Sequence, residues 1–102
     1  MSAIGNDERG QAVWTAAPVV VSYGAATRSA QLTQGQFYYV TATSACHWLQ
    51  GDVTVVATTS SNYLPAGGSF ELRCTDATTN GYVSFVQNSE AGSAFLMTPK
   101  AR

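Results

Sequence analysis

Along the chain, short runs of β-branched and aromatic residues alternate with clusters of Gly, Pro, Asn, Asp and Ser. Such runs bounded by turn formers are the pattern of strands, and their regular recurrence is that of a β-sandwich or barrel. The pattern predicts strands over residues 12–15, 19–23, 28–32, 36–43, 47–49, 53–58, 69–75, 82–88 and 94–98. Period-two alternation is clearest in Phe70-Glu71-Leu72-Arg73-Cys74, which puts Phe70, Leu72 and Cys74 on one face and Glu71 and Arg73 on the other. By the same rule Val53, Val55 and Ala57 form an apolar face. In residues 82–87, Val83 and Phe85 oppose Tyr82, Ser84 and Val86. That strand is apolar on both sides, so it sits either at a sheet centre or with one face against another subunit.

Gly24, Gly35, Gly51, Pro65-Ala66-Gly67-Gly68, Asn80-Gly81 and Gly92 fall in the gaps, and Asn80-Gly81 suits the positive φ angles of a type I′ hairpin turn. No helix is predicted, because Gly, Pro or Ser/Thr clusters interrupt every stretch long enough to form one. Residues 1–11 are polar and small without periodicity, so they are expected to form an extended N-terminal arm, disordered or laid on a neighbour. The expectation is therefore an all-β chain: the arm at 1–11 and a single small antiparallel β-sandwich over 12–102.

A chain of 102 residues supports one core. Only 11% of its residues are charged, which leaves a monomer surface thinly solvated, so part of that surface is expected to meet a partner. The net charge is −1, and the basic residues Arg9, Arg28, Arg73, Lys100 and Arg102 are scattered. A groove that tracks phosphates needs clustered cations, so neither nucleic acid nor an anionic membrane is an expected partner. The N-terminus carries Asp7 and Glu8 where a signal peptide needs a basic start and an apolar stretch, so synthesis and retention in a cytoplasm are expected. In that compartment Cys46 and Cys74 are expected as free thiols. A disulfide formed later, in an oxidising medium, is the alternative, and would contribute about 3 to 4 kcal/mol in the chain-entropy account.

Residue types that carry chemistry are sparse. His47 is the only histidine and directly follows Cys46. Strand neighbours point to opposite faces, so the two are not placed to act as nucleophile and base. Cys46, His47 and Cys74 lack the short ligand spacing of structural zinc sites. The carboxylates fall mostly in predicted turns or in the arm, and a domain this small has little room for the cleft that paired acid–base chemistry requires. Pro65-Ala66-Gly67-Gly68 precedes a strand and lacks the Lys-Ser/Thr of a phosphate loop. The residues thus predict no enzyme, no catalytic or metal site and no cofactor. Interaction candidates are Ile4 and Arg9 in the arm and the aromatics Trp14, Tyr38, Trp48 and Tyr63. Phe37-Tyr38-Tyr39 places aromatics on both faces of one strand, so at least one is expected to meet solvent or a partner.

The segments Gly35-Gln36-Phe37-Tyr38-Tyr39-Val40-Thr41-Ala42-Thr43, Ala45-Cys46-His47-Trp48-Leu49-Gln50-Gly51, Ala57-Thr58-Thr59-Ser60-Ser61-Asn62-Tyr63-Leu64-Pro65-Ala66-Gly67-Gly68 and Gly81-Tyr82-Val83-Ser84-Phe85-Val86-Gln87 together resemble small structural proteins of tailed bacteriophages. These are described as head decoration, cement or minor structural proteins, and the resemblance spans residues 27–98. It implies a jelly-roll-like protomer that forms a homo-oligomer, with a trimer favoured. It further implies docking on the phage major capsid protein or another virion protein, and a place in the virion reached through lysis rather than export. The competing expectation is a carbohydrate or host-receptor binding module on a head or tail fibre, with Trp48, Tyr63 and nearby loop polar groups as its site.

Overall fold

The computed structural model describes residues 19–98. The expected arm, the strand expected over 12–15 and the candidates Ile4, Arg9 and Trp14 lie outside the described residues. Eight strands follow one another: β1 (Val19–Tyr23), β2 (Arg28–Gln31), β3 (Phe37–Ala42), β4 (Cys46–Gly51), β5 (Asn62–Leu64), β6 (Ser69–Arg73), β7 (Tyr82–Gln87) and β8 (Gly92–Met97). They form two antiparallel four-stranded sheets, ordered β1-β8-β3-β6 and β2-β7-β4-β5. Pairing is nested, with β1 against β8, β2 against β7, β3 against β6 and β4 against β5. The protein is a small all-β sandwich, and no helix among the described residues is long and apolar enough to cross a membrane.

Except from β4 to β5, each connection carries the chain from one sheet to the other. Two of these crossings turn on glycine. The Gln36 amide donates to the Thr33 carbonyl, with Gly35 at φ 84°, and the Gly68 amide donates to the Pro65 carbonyl, with Gly67 at φ 75°. In both, glycine holds the third position of a four-residue turn, where a positive φ excludes most side chains.

The alternation read from Phe70 to Cys74 holds: Leu72 and Cys74 are buried, Phe70 packs against the core, and Glu71 and Arg73 are exposed. Between the sheets lie Val21, Tyr23, Tyr38, Val40, Cys46, Leu72, Cys74, Val83, Phe85, Ala94 and Leu96. Phe85 is fully buried at the centre of this layer. Trp48 closes one flank, its ring stacked on Phe70 of the facing sheet at 4.1 Å and 9°. Burial of large side chains of this kind stabilises by about 1.5 to 3 kcal/mol each.

Two expectations are corrected. Residues 53–58 form no strand, and Val53 is 69% exposed. The reason is local: Asp52 Oδ1 accepts from both the amide and the hydroxyl of Thr54, and the Asp52 carbonyl accepts from the Val55 amide. These bonds curl the chain out of the sheet before its β-branched residues can pair. The missing strand is supplied by β5, only three residues long and unmarked by any alternation. The second correction concerns Asn80-Gly81, which makes no type I′ turn, since Gly35 and Gly67 are the only described residues with positive φ. β6 and β7 belong to different sheets, so no tight hairpin joins them. Instead Asn80 Oδ1 accepts from the amides of Thr75 and Asp76, and the Gly81 backbone packs against the Ala77 carbonyl.

Gly81 is therefore glycine for lack of space. Gly81→Ala drives a Cβ into the Ala77 carbonyl and is expected to cost about 2 kcal/mol by the usual penalty of overpacking. Gly24→Ala meets nothing nearer than Gln87 Oε1 at 4.0 Å and should change stability by less than about 0.5 kcal/mol. Urea unfolding of both variants checks the contrast.

Candidate interaction surface

Register decides which side chains leave the core. On the β1-β8-β3-β6 sheet, Val20 lies opposite Phe95, Phe95 opposite Thr41, and Met97 opposite Tyr39. Tyr39 in turn faces Glu71, and Phe37 faces Arg73. Directly opposed residues share a face, so Val20, Phe37, Tyr39, Phe95 and Met97 all stand on the outer side of this sheet. No described strand packs over them. Phe37 is 44% and Val20 50% exposed, and Tyr39, Phe95 and Met97 are half-buried. The Arg73 guanidinium lies over the Phe37 ring, 4.3 Å from its centre, and the Tyr39 hydroxyl donates to Ser69 Oγ. Four strands at about 4.8 Å spacing and five residues at about 3.3 Å give this face a footprint of roughly 300 Å².

The outer side of the β2-β7-β4-β5 sheet is closed differently. Its Ser84 is buried and accepts a hydrogen bond from the Ala57 amide, so the loop of residues 52–61 lies over the strand. His47 points to this side, 7% exposed. Its Nδ1 lies 3.2 Å from the Ser61 carbonyl and so donates to it, and its Nε2 lies 2.9 Å from the side-chain amide of Asn88. Tyr63 tilts against the same ring at 5.4 Å, 56% exposed. His47 thus ties the 52–61 loop to the end of β7, a structural task.

The sequence candidates fare unequally. Tyr38 is corrected from a contact residue to a core residue: it is 4% exposed, and its hydroxyl accepts from the Thr33 amide. In the aromatic triplet, parity sends Tyr38 inward with Val40 and Phe37 and Tyr39 outward. Trp48 and Tyr63 are not brought together. In the β4–β5 register Trp48 faces Asn62 and Tyr63 faces His47, so the two rings stand on opposite sides of the sheet and build no common stacking platform. The outward Val20, Phe95 and Met97 were not singled out from sequence. Only the pairing of β8 with both β1 and β3 aligns them.

Cys46 and Cys74 are buried free thiols. Burial pushes the Cys46 thiol above its ordinary pKa, and burial does the same to the Tyr23 phenol. The Tyr23 hydroxyl donates to the Ser44 carbonyl at 2.6 Å. A thiol that is inaccessible and held protonated makes a poor nucleophile. Among the described residues no group of three or more His, Cys, Asp or Glu is placed to hold a metal ion. The arrangement is an all-β sandwich whose β1-β8-β3-β6 sheet carries Val20, Phe37, Tyr39, Phe95 and Met97 on its outer face. No protein-family model, no curated protein and no solved structure matches the chain.

Asp52 and Asp76 make the same local turn, each carboxylate accepting from the hydroxyl and amide of the threonine two residues on. The hydroxyl bond, then the amide bond, holds both carboxyls below the ordinary aspartate pKa. A depressed folded pKa stabilises the folded form above the unfolded value of about 3.9, and that contribution disappears as pH falls through the folded value. Thr54→Val is expected to move the Asp52 titration upward and leave Asp76 unchanged, read by NMR of the side-chain carboxyls.

Proposed function

We propose that the chain is a non-enzymatic structural protein of a phage virion, which decorates or cements the capsid by binding shell subunits. The observation that carries this reading is the open face of the β1-β8-β3-β6 sheet, where Val20, Phe37, Tyr39, Phe95 and Met97 form an apolar surface on rigid strands. Exposed apolar side chains gathered on one sheet face are a feature of interaction sites. The outer face of the other sheet is covered at β7 by the protein's own loop, with Leu49, Tyr63 and the loop's Val53 and Val56 left exposed around it. Roughly 300 Å² is below the ~800 Å² that each partner contributes to a standard interface, so the face serves as the apolar centre of a wider contact. The resemblance to head decoration and cement proteins supports the same reading. So does the nested strand pairing, since two four-stranded sheets joined in this order are what a jelly roll requires.

The separation of Trp48 from Tyr63 weighs against the carbohydrate-binding alternative, which needs them on one side. Phe37→Glu keeps a partner in Arg73 and so preserves the strand pair, and Met97→Lys places a charge opposite Tyr39. Each is expected to weaken binding to shells of the cognate major capsid protein at least about tenfold, or ~1.4 kcal/mol, with unchanged thermal unfolding. Co-sedimentation with purified shells measures it. Undiminished binding by both variants would remove this face from the contact.

A further inference from the structure

The four outer strands of the sandwich are not equally guarded. Unpaired strand edges invite further pairing, and proteins blunt them with charges or by keeping them short. β6 carries Glu71 and Arg73, β2 carries Arg28, and β5 has only three residues. β1, with Val19-Val20-Val21-Ser22-Tyr23, has five residues and no charge. Among the described residues it is the outer strand of its sheet, and its Val19 and Val20 are 46% and 50% exposed. A cleft of about 530 Å³ runs along it, lined by residues 19–22 of β1 and 28–31 of β2.

We propose that β1 pairs with β1 of a second copy of this chain, antiparallel across a two-fold axis, joining two four-stranded sheets into one. The strand is self-complementary for this. Centred on Val21, the register sets Val21 against the partner's Val21, Val19 against the partner's Tyr23, and Val20 against the partner's Ser22. Side chains that point inward thus meet side chains that point inward, and no like charges come together. With the axis normal to the sheet, the two open apolar faces lie on the same side and form one continuous platform. Two-fold closure makes a dimer, in place of the trimer that the phage resemblance implies, and the inference stands independently of shell binding.

Sedimentation equilibrium of the full chain, from about 1 µM to about 1 mM, tests it. The expected mass at the upper end is twice 10.7 kDa. Val20→Lys, which sets a charge on the outer strand at a half-exposed position, should raise the dimer dissociation constant at least tenfold with an unchanged circular dichroism spectrum. Val20→Thr, which keeps the β-branch, should leave it within threefold. A monomer throughout the range, a mass of three chains, or a dimer indifferent to Val20→Lys would each overturn the proposal. So would loss of protection from hydrogen exchange along β1 on deleting residues 1–17 from a monomeric chain, which would put the chain's own N-terminal residues on that edge.

Discussion

On β7, Val83 and Phe85 point between the sheets while Ser84 and Val86 point outward, and all four are buried. A strand buried on both faces needs a neighbour on each side and a cover on each face. β2 and β4 supply the neighbours, the facing sheet supplies one cover, and the 52–61 loop supplies the other. Where it meets β7, at Ala57, which is 1% exposed, the loop must satisfy its own backbone out of reach of water. Ser84 Oγ does this for the Ala57 amide, and His47 does it for the Ser61 carbonyl. Both polar residues are buried because the loop needs partners beneath it.

This need explains which parts of the fold were legible in the sequence. Where a strand has one dry face and one wet face, as from Phe70 to Cys74, the alternation states both the strand and its orientation. The double burial of β7 was legible too, because apolar residues occupy both parities. Residues 53–58 read as a strand for the same reason that they work as a cover: they are β-branched and partly apolar. What stops them from pairing is the Asp52 carboxylate bound to Thr54, a bond between neighbours that hydrophobic periodicity does not register. β5 is too short for any pattern.

The candidate surface was less legible than the fold. Phe37, Tyr38 and Tyr39 read as a triplet with at least one outward member, and Tyr38 was the candidate; parity places Phe37 and Tyr39 outward with Tyr38 between them in the core. Val20, Phe95 and Met97 acquire meaning only when β8 is set between β1 and β3, a long-range pairing of the chain's two ends. Trp48 reads as a contact residue because tryptophan often is one. Here its ring is held against Phe70 across the sandwich, where it closes the core.

The two sheets therefore differ in what they leave for others. One outer face is covered at β7 by the protein's own loop, with Leu49 and Tyr63 exposed beside it, and the other presents aromatic and aliphatic side chains on strands whose inner residues are locked in the core. The claim that this open face is where a shell subunit binds is tested most directly by hydrogen–deuterium exchange of the chain, free and bound to purified shells. The account predicts new protection concentrated in β3 and β8, residues 37–42 and 92–97. Protection confined to residues 47–63, with β3 and β8 exchanging as in the free chain, would contradict it.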